Sequence, residues 1–217
     1  AHWVISVPPG EDGCPVARAV GDLAGDAASV TYLSTTGVYG DLKGGWAFEA
    51  SNLQPGSQRA ARRAEAEAQW LSLRPDVRLV RLPGIYGPGR SPFDRLRAGA
   101  ATRIVKPGQV FSRVHVDDIA SGLEALLARP TLGGVFHLCD DAPAPPQDVT
   151  AIAASLLGVE PPPEIAFETA ELSAMAKSFY AECKRVSNAA TKARLGWRPA
   201  FPTYRDGLRA VLELEAA

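Results

Sequence analysis

Cysteine, lysine and methionine are scarce in this 217-residue chain, and it contains no long apolar run. Its three cysteines, Cys14, Cys139 and Cys183, are widely spaced and form neither a C-x-x-C pair nor the His/Cys spacing of a metal site. This distribution predicts a reduced intracellular protein without structural zinc. Because the sequence has no 18-residue apolar span and no segment that resembles a signal peptide, we expect a cytoplasmic protein that makes no membrane contact.

Several motifs of common enzyme classes are also missing. The sequence contains no G-x-S-x-G, no Walker loop and no H-E-x-x-H, which argues against the commonest hydrolases and nucleotide triphosphatases. A formal net charge of -1 argues against non-specific attraction to nucleic acid or to a membrane surface. With 46% hydrophobic residues, the chain can bury a large core as one large or two small domains.

Apolar runs alternate with helix-forming stretches along the chain. Strands are predicted near residues 2–7, 29–34, 77–82 and 134–138, and helices over residues 57–73 and 116–128. Prolines at 143–146 and at 161–163 predict loops. This alternation is typical of a parallel α/β sheet.

The segment Tyr32-Leu-Ser-Thr-Thr-Gly-Val-Tyr-Gly40 joins the end of an apolar run to a cluster of hydroxyl groups and a turn bounded by glycines. Ser34 and Thr35 fall at the carboxyl end of the predicted strand, where open α/β sheets bind their ligands. The alternative interpretation is an ordinary strand followed by a Ser/Thr turn.

Five motifs occur in the order found in one enzyme family. They are the segment above, Arg81-Leu-Pro-Gly-Ile-Tyr-Gly-Pro-Gly-Arg90, Val114-His-Val-Asp-Asp-Ile-Ala120, Val135-Phe-His-Leu138 and Leu195-Gly-Trp-Arg-Pro199. Together they resemble the extended short-chain dehydrogenase/reductases, the NAD-dependent epimerases and dehydratases of nucleotide sugars. The resemblance implies an incomplete Rossmann-type parallel sheet with helices on both faces and a small C-terminal substrate-side lobe.

The Gly-rich fingerprint that seats the cofactor's pyrophosphate in this family cannot be found among the twenty glycines. The apolar start, His2 to Pro9, resembles the family's fourth strand, so the chain is expected to begin after about three βα units and to be part of a longer protein. Residues 1–83 and 115–140 are then assigned to a partial NAD(P)-binding layer, and residues 84–114 and 141–217 to the substrate-side lobe.

The second departure concerns the family's catalytic Tyr and Lys, which lie four residues apart on a helix. Arg59 and Arg63 stand at these two positions. Arginine stays protonated, so it is a poor general acid or base and a good anion clamp. Two literal Tyr-x-x-x-Lys strings, Tyr39 to Lys43 and Tyr180 to Lys184, are weak alternatives because the first is interrupted by glycine and the second lies far from the hydroxyl cluster.

The resemblance carries the following roles over to this sequence. Thr35, Arg59 and Arg63 are the candidate catalytic residues; Val7, Pro8, Ser34, Pro83 and Gly84 are candidates for contact with NAD or NADP; Tyr86, Arg90 and Arg113 are candidates for contact with substrate. No metal ligand is predicted. His115, at a helix start, and His137, in an apolar strand, are expected to be structural.

Three functions remain open at this point. The protein could be an NAD(P)-dependent epimerase, dehydratase or reductase acting on a nucleotide-sugar-like or other small hydroxyl or carbonyl compound, a non-catalytic sensor with the same fold, or a truncated remnant without a cofactor. The missing fingerprint predicts that the 217-residue chain binds NAD or NADP weakly or not at all, the cofactor belonging to the full-length parent. An exposed sheet edge predicts pairing with another chain, including a homo-oligomer.

Overall fold

The structure, a computed structural model, describes residues 1–216 as an α/β fold. The strands are β1 (His2–Ile5), β2 (Ser29–Thr35), β3 (Trp46–Ala47), β4 (Arg78–Leu82), β5 (Gly84–Tyr86), β6 (Arg103–Val105), β7 (Arg113–His115), β8 (Gly134–His137), β9 (Glu164–Ala166) and β10 (Arg185–Val186). The helices are α1 (Pro15–Val20), α2 (Gln58–Leu73), α3 (Pro92–Arg97), α4 (Val116–Leu127), α5 (Pro146–Leu157), α6 (Ala174–Tyr180), α7 (Ala189–Leu195) and α8 (Tyr204–Ala216), with 3₁₀ helices at Gly21–Asp26 and Thr36–Tyr39.

The central sheet has four parallel strands in the order β1-β2-β4-β8. All five residues of β4 are buried, as expected for a strand covered on both faces. Neighbouring residues of β4 enter different cores, because side chains alternate across a sheet. Leu79 packs with α1 and α2, whereas Val80 packs with α4 and α7. The predicted parallel sheet with helices on both faces is confirmed.

β1 is shorter than the sequence predicts. It ends at Ile5, whereas the prediction extended to residue 7. Ser6 and Val7 separate the end of the strand from Pro8 and Pro9, and proline cannot donate the ladder hydrogen bond that would continue a strand through them.

A separate apolar core lies beside the sheet. It contains Tyr86 and Phe93 and is formed mainly by α3, α5 and α8. The residues of this core fall within the segments 84–114 and 141–217. Leu195 and Trp197, which belong to the same segments, pack instead in the core of the sheet. The division of the chain into two domains stays a prediction.

The predicted proline loops are partly helical. Residues 161–163 are irregular, as expected, but α5 begins at Pro146. Proline is well suited to the first position of a helix, where its missing N–H leaves no hydrogen bond unmade and its φ already fits.

A buried chain of hydrogen bonds connects α2, β4, the 3₁₀ helix after β2 and β8. Glu67 on α2 accepts two hydrogen bonds from Arg81, at 3.0 and 2.6 Å, and Arg81 also donates to the Tyr39 hydroxyl at 2.6 Å. The Tyr39 hydroxyl lies 2.6 Å from Nε2 of His137, whose Nδ1 lies 2.7 Å from the carbonyl oxygen of Ser187. Burial lowers the pKa of His137, so a neutral ring that accepts from Tyr39 and donates to Ser187 fits this geometry.

Candidate functional site

A cleft of about 1030 Å³ opens at the carboxyl ends of β2 and β4. Its walls come from the hydroxyl cluster after β2, the first two turns of α2, the Pro83–Gly84 turn, the start of β7 and the exposed helix α6. Parallel strands deliver their last side chains to one edge of the sheet, so residues distant in sequence meet there.

Two hydroxyl residues end β2 at this cleft. Thr35 caps the following 3₁₀ helix, and its Oγ1 accepts a hydrogen bond from the backbone N–H of Gly37 at 3.1 Å. The Thr35 O–H therefore remains able to donate. Ser34 is 5% exposed, and its Oγ finds no hydrogen-bond partner in the described part of the chain. A buried, unpartnered hydroxyl group is costly unless a ligand satisfies it.

α2 brings both predicted arginines to the same cleft. Ser57 begins this helix by accepting a hydrogen bond from the N–H of Ala60, and residues 59 and 63, four apart, then share one face. The Arg63 guanidinium donates to the Leu33 carbonyl oxygen at 2.9 Å and to the Tyr32 hydroxyl at 3.1 Å. Arg59 is exposed, with its Cζ 5.4 Å from the ring centroid of Phe179.

Glu67, on the same helix, does not neutralise these two arginines. Its side chain points into the core, is 2% exposed and pairs with Arg81. Arg81 lies on the fully buried strand β4, so its charge needs a buried partner. Arg59 and Arg63 consequently keep their charge facing the cleft.

The remaining predicted residues divide into two groups. Pro83, Gly84, Arg90 and Arg113 line the cleft, whereas Val7, Pro8 and Tyr86 do not. Val7 and Pro8 are exposed on the surface, and Ser6 lines the cleft in their place.

Tyr86 belongs to the core of the lobe. Its ring packs edge-on against His115, with the ring centroids 5.2 Å apart, and its hydroxyl approaches Gly207 of α8. Burial raises the pKa of Tyr86 well above its ordinary value. The predicted contact between Tyr86 and substrate is not supported by this geometry, because the last residue of β5 turns its side chain toward α8.

Positive charge dominates the cleft. Among residues 1–216, the cleft is lined by five cationic side chains and one carboxylate, Glu182; the cationic side chains are those of Arg59, Arg63, Arg90, Arg113 and Lys184. Among the described residues, none of the four arginines forms an ion pair with a carboxylate. Arg113 donates to the carbonyl oxygens of Phe111 and Ala144, and burial lowers its pKa. An anionic ligand would relieve this accumulation of charge.

Sequence reasoning missed the contribution of the segment around α6. Met175 and Phe179, four residues apart and both exposed, face the cleft, and Glu182 and Lys184 follow them. The spacing of four between Met175 and Phe179, which places both on one face of a helix, is the signal in the sequence that could have identified this wall.

The predicted structural roles of both histidines agree with their surroundings. His137 is fully buried in the hydrogen-bond chain described above, and His115 accepts from the N–H of Asp117 at the start of α4. Within residues 1–216, no group of three or more His, Cys, Asp or Glu side chains has the arrangement of a metal site. None of the helices in that range combines the length and apolar character needed to cross a bilayer.

Comparisons with known proteins give relatives of known and unknown function. No protein-family model matches the chain. The structure of a functionally unknown conserved protein from Silicibacter pomeroyi DSS is 48% identical, with a TM-score of 0.92, over 100% of this chain and 78% of that chain. A 3-diazoavenalumate denitrifying reductase from Streptomyces sp is 31% identical over 156 residues, 67% of this chain and 51% of that protein.

A more distant likeness concerns the fold. The dTDP-glucose 4,6-dehydratase DesIV from Streptomyces venezuelae, with NAD and TYD bound, is 23% identical with a TM-score of 0.73, over 91% of this chain and 63% of that chain. The chain spans about half the length of the curated relatives it matches. The identity and coverage of the match to the conserved Silicibacter pomeroyi protein show that the chain belongs to the same family as that protein, and the TM-score with DesIV shows that it shares the Rossmann-like α/β fold of the NAD-dependent epimerase/dehydratase enzymes.

Proposed function

We propose that the protein containing this chain is an NAD(P)-dependent oxidoreductase of the epimerase/dehydratase type, acting on a small anionic compound with a hydroxyl or carbonyl group. The observation that carries the proposal is the strand-end cleft, where Thr35 and the buried Ser34 hydroxyl meet four arginines that have no carboxylate partner within residues 1–216. The bound NAD of DesIV and the reductase activity named for the Streptomyces relative support the same class of chemistry.

The residues at one end of the cleft suit the nicotinamide part of the cofactor. Ser34 supplies an unpartnered hydroxyl, and Pro83 and Gly84 form a wall that a flat ring could approach. These residues would hold the nicotinamide end, which supplies hydride acceptor and donor chemistry when bound. The sequence offers no G-x-G-x-x-G turn for the pyrophosphate.

Different residues of the chain would contact different parts of the substrate. Thr35, whose O–H is free to donate, would hold the reacting oxygen. Arg59, Arg90 and Arg113 would hold the anionic group, and Met175 and Phe179 would cover its apolar part. Arg63, fixed by Leu33 and Tyr32, would keep the Thr35 end of the cleft positive.

A non-catalytic sensor is the second candidate. It is favoured by one observation, the replacement of the family's Tyr and Lys by Arg59 and Arg63, which cannot exchange a proton near neutral pH. Such a protein would bind the same anions without turnover.

The test is hydride transfer by the full-length natural protein, followed as NAD(P)H absorbance with a panel of sugar nucleotides, sugar phosphates and hydroxy or oxo acids. We expect turnover with at least one compound. We expect Thr35→Ala to reduce kcat/KM by about 10²-fold, the scale for removing one group that stabilises a reacting oxygen. Thr169→Ala, an exposed threonine outside the cleft, is the matched control. If Thr35→Ala keeps the wild-type turnover, Thr35 does not take part in the reaction and the proposed site is wrong. If the wild-type protein binds a compound tightly but does not turn it over, the sensor function is favoured.

A further inference from the structure

Reduction or oxidation at a carbon that bears oxygen requires a proton as well as a hydride. Arg59 and Arg63 occupy the positions of the family's proton-transfer pair and cannot do this work. Among the described residues that line the cleft, the side chains able to gain or lose a proton under ordinary conditions are those of Glu182 and Lys184. The other polar groups there are hydroxyls and guanidinium groups.

Glu182 and Lys184 form an ion pair at the cleft wall. The Lys184 Nζ lies 2.5 Å from Oε2 of Glu182, with the two side chains 10% and 20% exposed respectively. Lys184 also donates to the carbonyl oxygen of Gly40 at 2.7 Å, which fixes it to the segment that follows Thr35. Two charges held this deep in a cleft lose hydration, and the pair offsets that cost only if its geometry is kept.

The second carboxylate oxygen of Glu182 faces the start of α2. A Cβ placed on Gly56 would lie 3.5 Å from Glu182 Oε1, so this oxygen lies next to the turn that leads into the helix of Arg59. Within residues 1–216, Oε1 receives no hydrogen bond. One carboxylate oxygen is therefore held by Lys184, and the other is available to a ligand in the cleft.

We propose that Glu182 is the proton-transfer residue of this cleft and that Lys184 is its positioning residue. The inference rests on the proposed oxidoreductase function. In the oxidation direction the substrate O–H bond would break and its proton would pass to Glu182, while the substrate carbon would give up its hydrogen as hydride to NAD(P), the oxidant when bound, and a C=O bond would form. Glu182 then releases the proton to solvent, while Lys184 holds the carboxylate in place and balances its charge.

Other charged groups surround this pair. Asp41 is near Lys184 and Lys106, and Lys106 donates to the Tyr180 carbonyl oxygen. Arg59 and Arg63, on α2, line the cleft. The arginines keep their charge across the working pH range. A difference between the pH profiles of the wild type and of a variant at residue 182 can therefore be assigned to Glu182 and not to the two arginines.

The experiment is the pH profile of kcat for wild type, Glu182→Gln and Lys184→Met in the full-length natural protein, with the substrate found above. We expect Glu182→Gln to lower kcat by about 10²- to 10⁴-fold, the usual contribution of general acid–base catalysis, with KM little changed. Its pH profile should differ in shape from that of the wild type. Glu168→Gln, an exposed glutamate outside the cleft, should behave as wild type.

The outcomes separate this inference from the function it rests on. Wild-type turnover with an unchanged kcat and pH profile in Glu182→Gln overturns the role of Glu182 and leaves the oxidoreductase proposal standing. Absence of wild-type turnover across the panel overturns both. If Glu182→Gln unfolds, Glu182→Asp is used instead, since it keeps the carboxylate, and a reduced kcat with the shape of the wild-type pH profile supports the assignment. An Asp variant with wild-type kcat and a flat profile contradicts it.

Discussion

Replacing Glu67 by alanine should destabilise the fold strongly. Glu67 and Arg81 are 2% and 5% exposed, and the two hydrogen bonds between them, at 3.0 and 2.6 Å, make the pair bidentate. Glu67→Ala leaves the Arg81 charge in the core with only the Tyr39 hydroxyl as acceptor. Breaking a buried pair in this way costs about 3–5 kcal/mol of the free energy of unfolding.

The loss can be measured by urea denaturation and by thermal unfolding. For a domain of this size, 1 kcal/mol corresponds to a shift of about 2–4 °C in Tm, so we expect a decrease of about 6–20 °C. Glu65→Ala, on the same helix but exposed, is the matched control and should change the free energy of unfolding by less than about 0.5 kcal/mol. Replacing both Glu67 and Arg81 by methionine should cost less than Glu67→Ala alone, because no unpaired charge remains.

Two results would refute this reasoning. A loss below about 1 kcal/mol in Glu67→Ala would mean that water or a rearranged acceptor satisfies Arg81. A double methionine variant less stable than the single variant would mean that the pair contributes more than the avoidance of an unpaired charge.

Further predictions concern α8 and a buried carboxyl group. Gly207→Ala should lower the free energy of unfolding by about 1–3 kcal/mol, because its Cβ would lie 2.0 Å from the Tyr86 hydroxyl oxygen. Gly25→Ala is the control, because a Cβ at Gly25 meets open space and should not lower it. Thermal unfolding measures both variants, and a loss in Gly207→Ala that Tyr86→Phe does not relieve would count against the clash. Burial raises the pKa of Asp140 to about 7 from an ordinary value of 3.8, so the folded state binds a proton that the unfolded state releases. The Asp140 contribution to stability should therefore fall as pH rises from about 4 to about 7 and then level off. Asp140→Asn should gain stability relative to wild type across that window in denaturation curves, and a constant difference would contradict the assignment.

Much of the fold can be predicted from sequence because its strands carry a strong local signal. Residues 29–35 and 78–82 are runs long enough for buried parallel strands, and residues 58–73 have a serine cap and strong helix formers. The arrival of Thr35, Arg59 and Arg63 at one cleft can also be predicted, since it needs only a strand end and a spacing of four on a helix.

The rest depends on tertiary contacts. Periodicity does not show whether Glu65 or Glu67 points inward. Arg81, inside the buried strand β4, is the residue that needs a buried carboxylate, whereas Arg78 in the same strand donates to backbone carbonyl oxygens. The pair Glu182 and Lys184 reaches the cleft through a contact with Gly40, 144 residues away in sequence. Local propensity carries no information about such a contact.

The buried hydrogen-bond chain also bears on the order in which the fold can form. Glu67 and Arg81 are 14 residues apart, whereas Tyr39 and His137 are 98 apart. Closing the longer loop costs about 1.7 kcal/mol more in chain entropy, because this cost grows with the logarithm of loop length. The ionic half of the network can thus assemble while α2 docks on β4. The phenol and the imidazole meet only when β8 joins the sheet, so we expect the Tyr39–His137 contact to form late in folding.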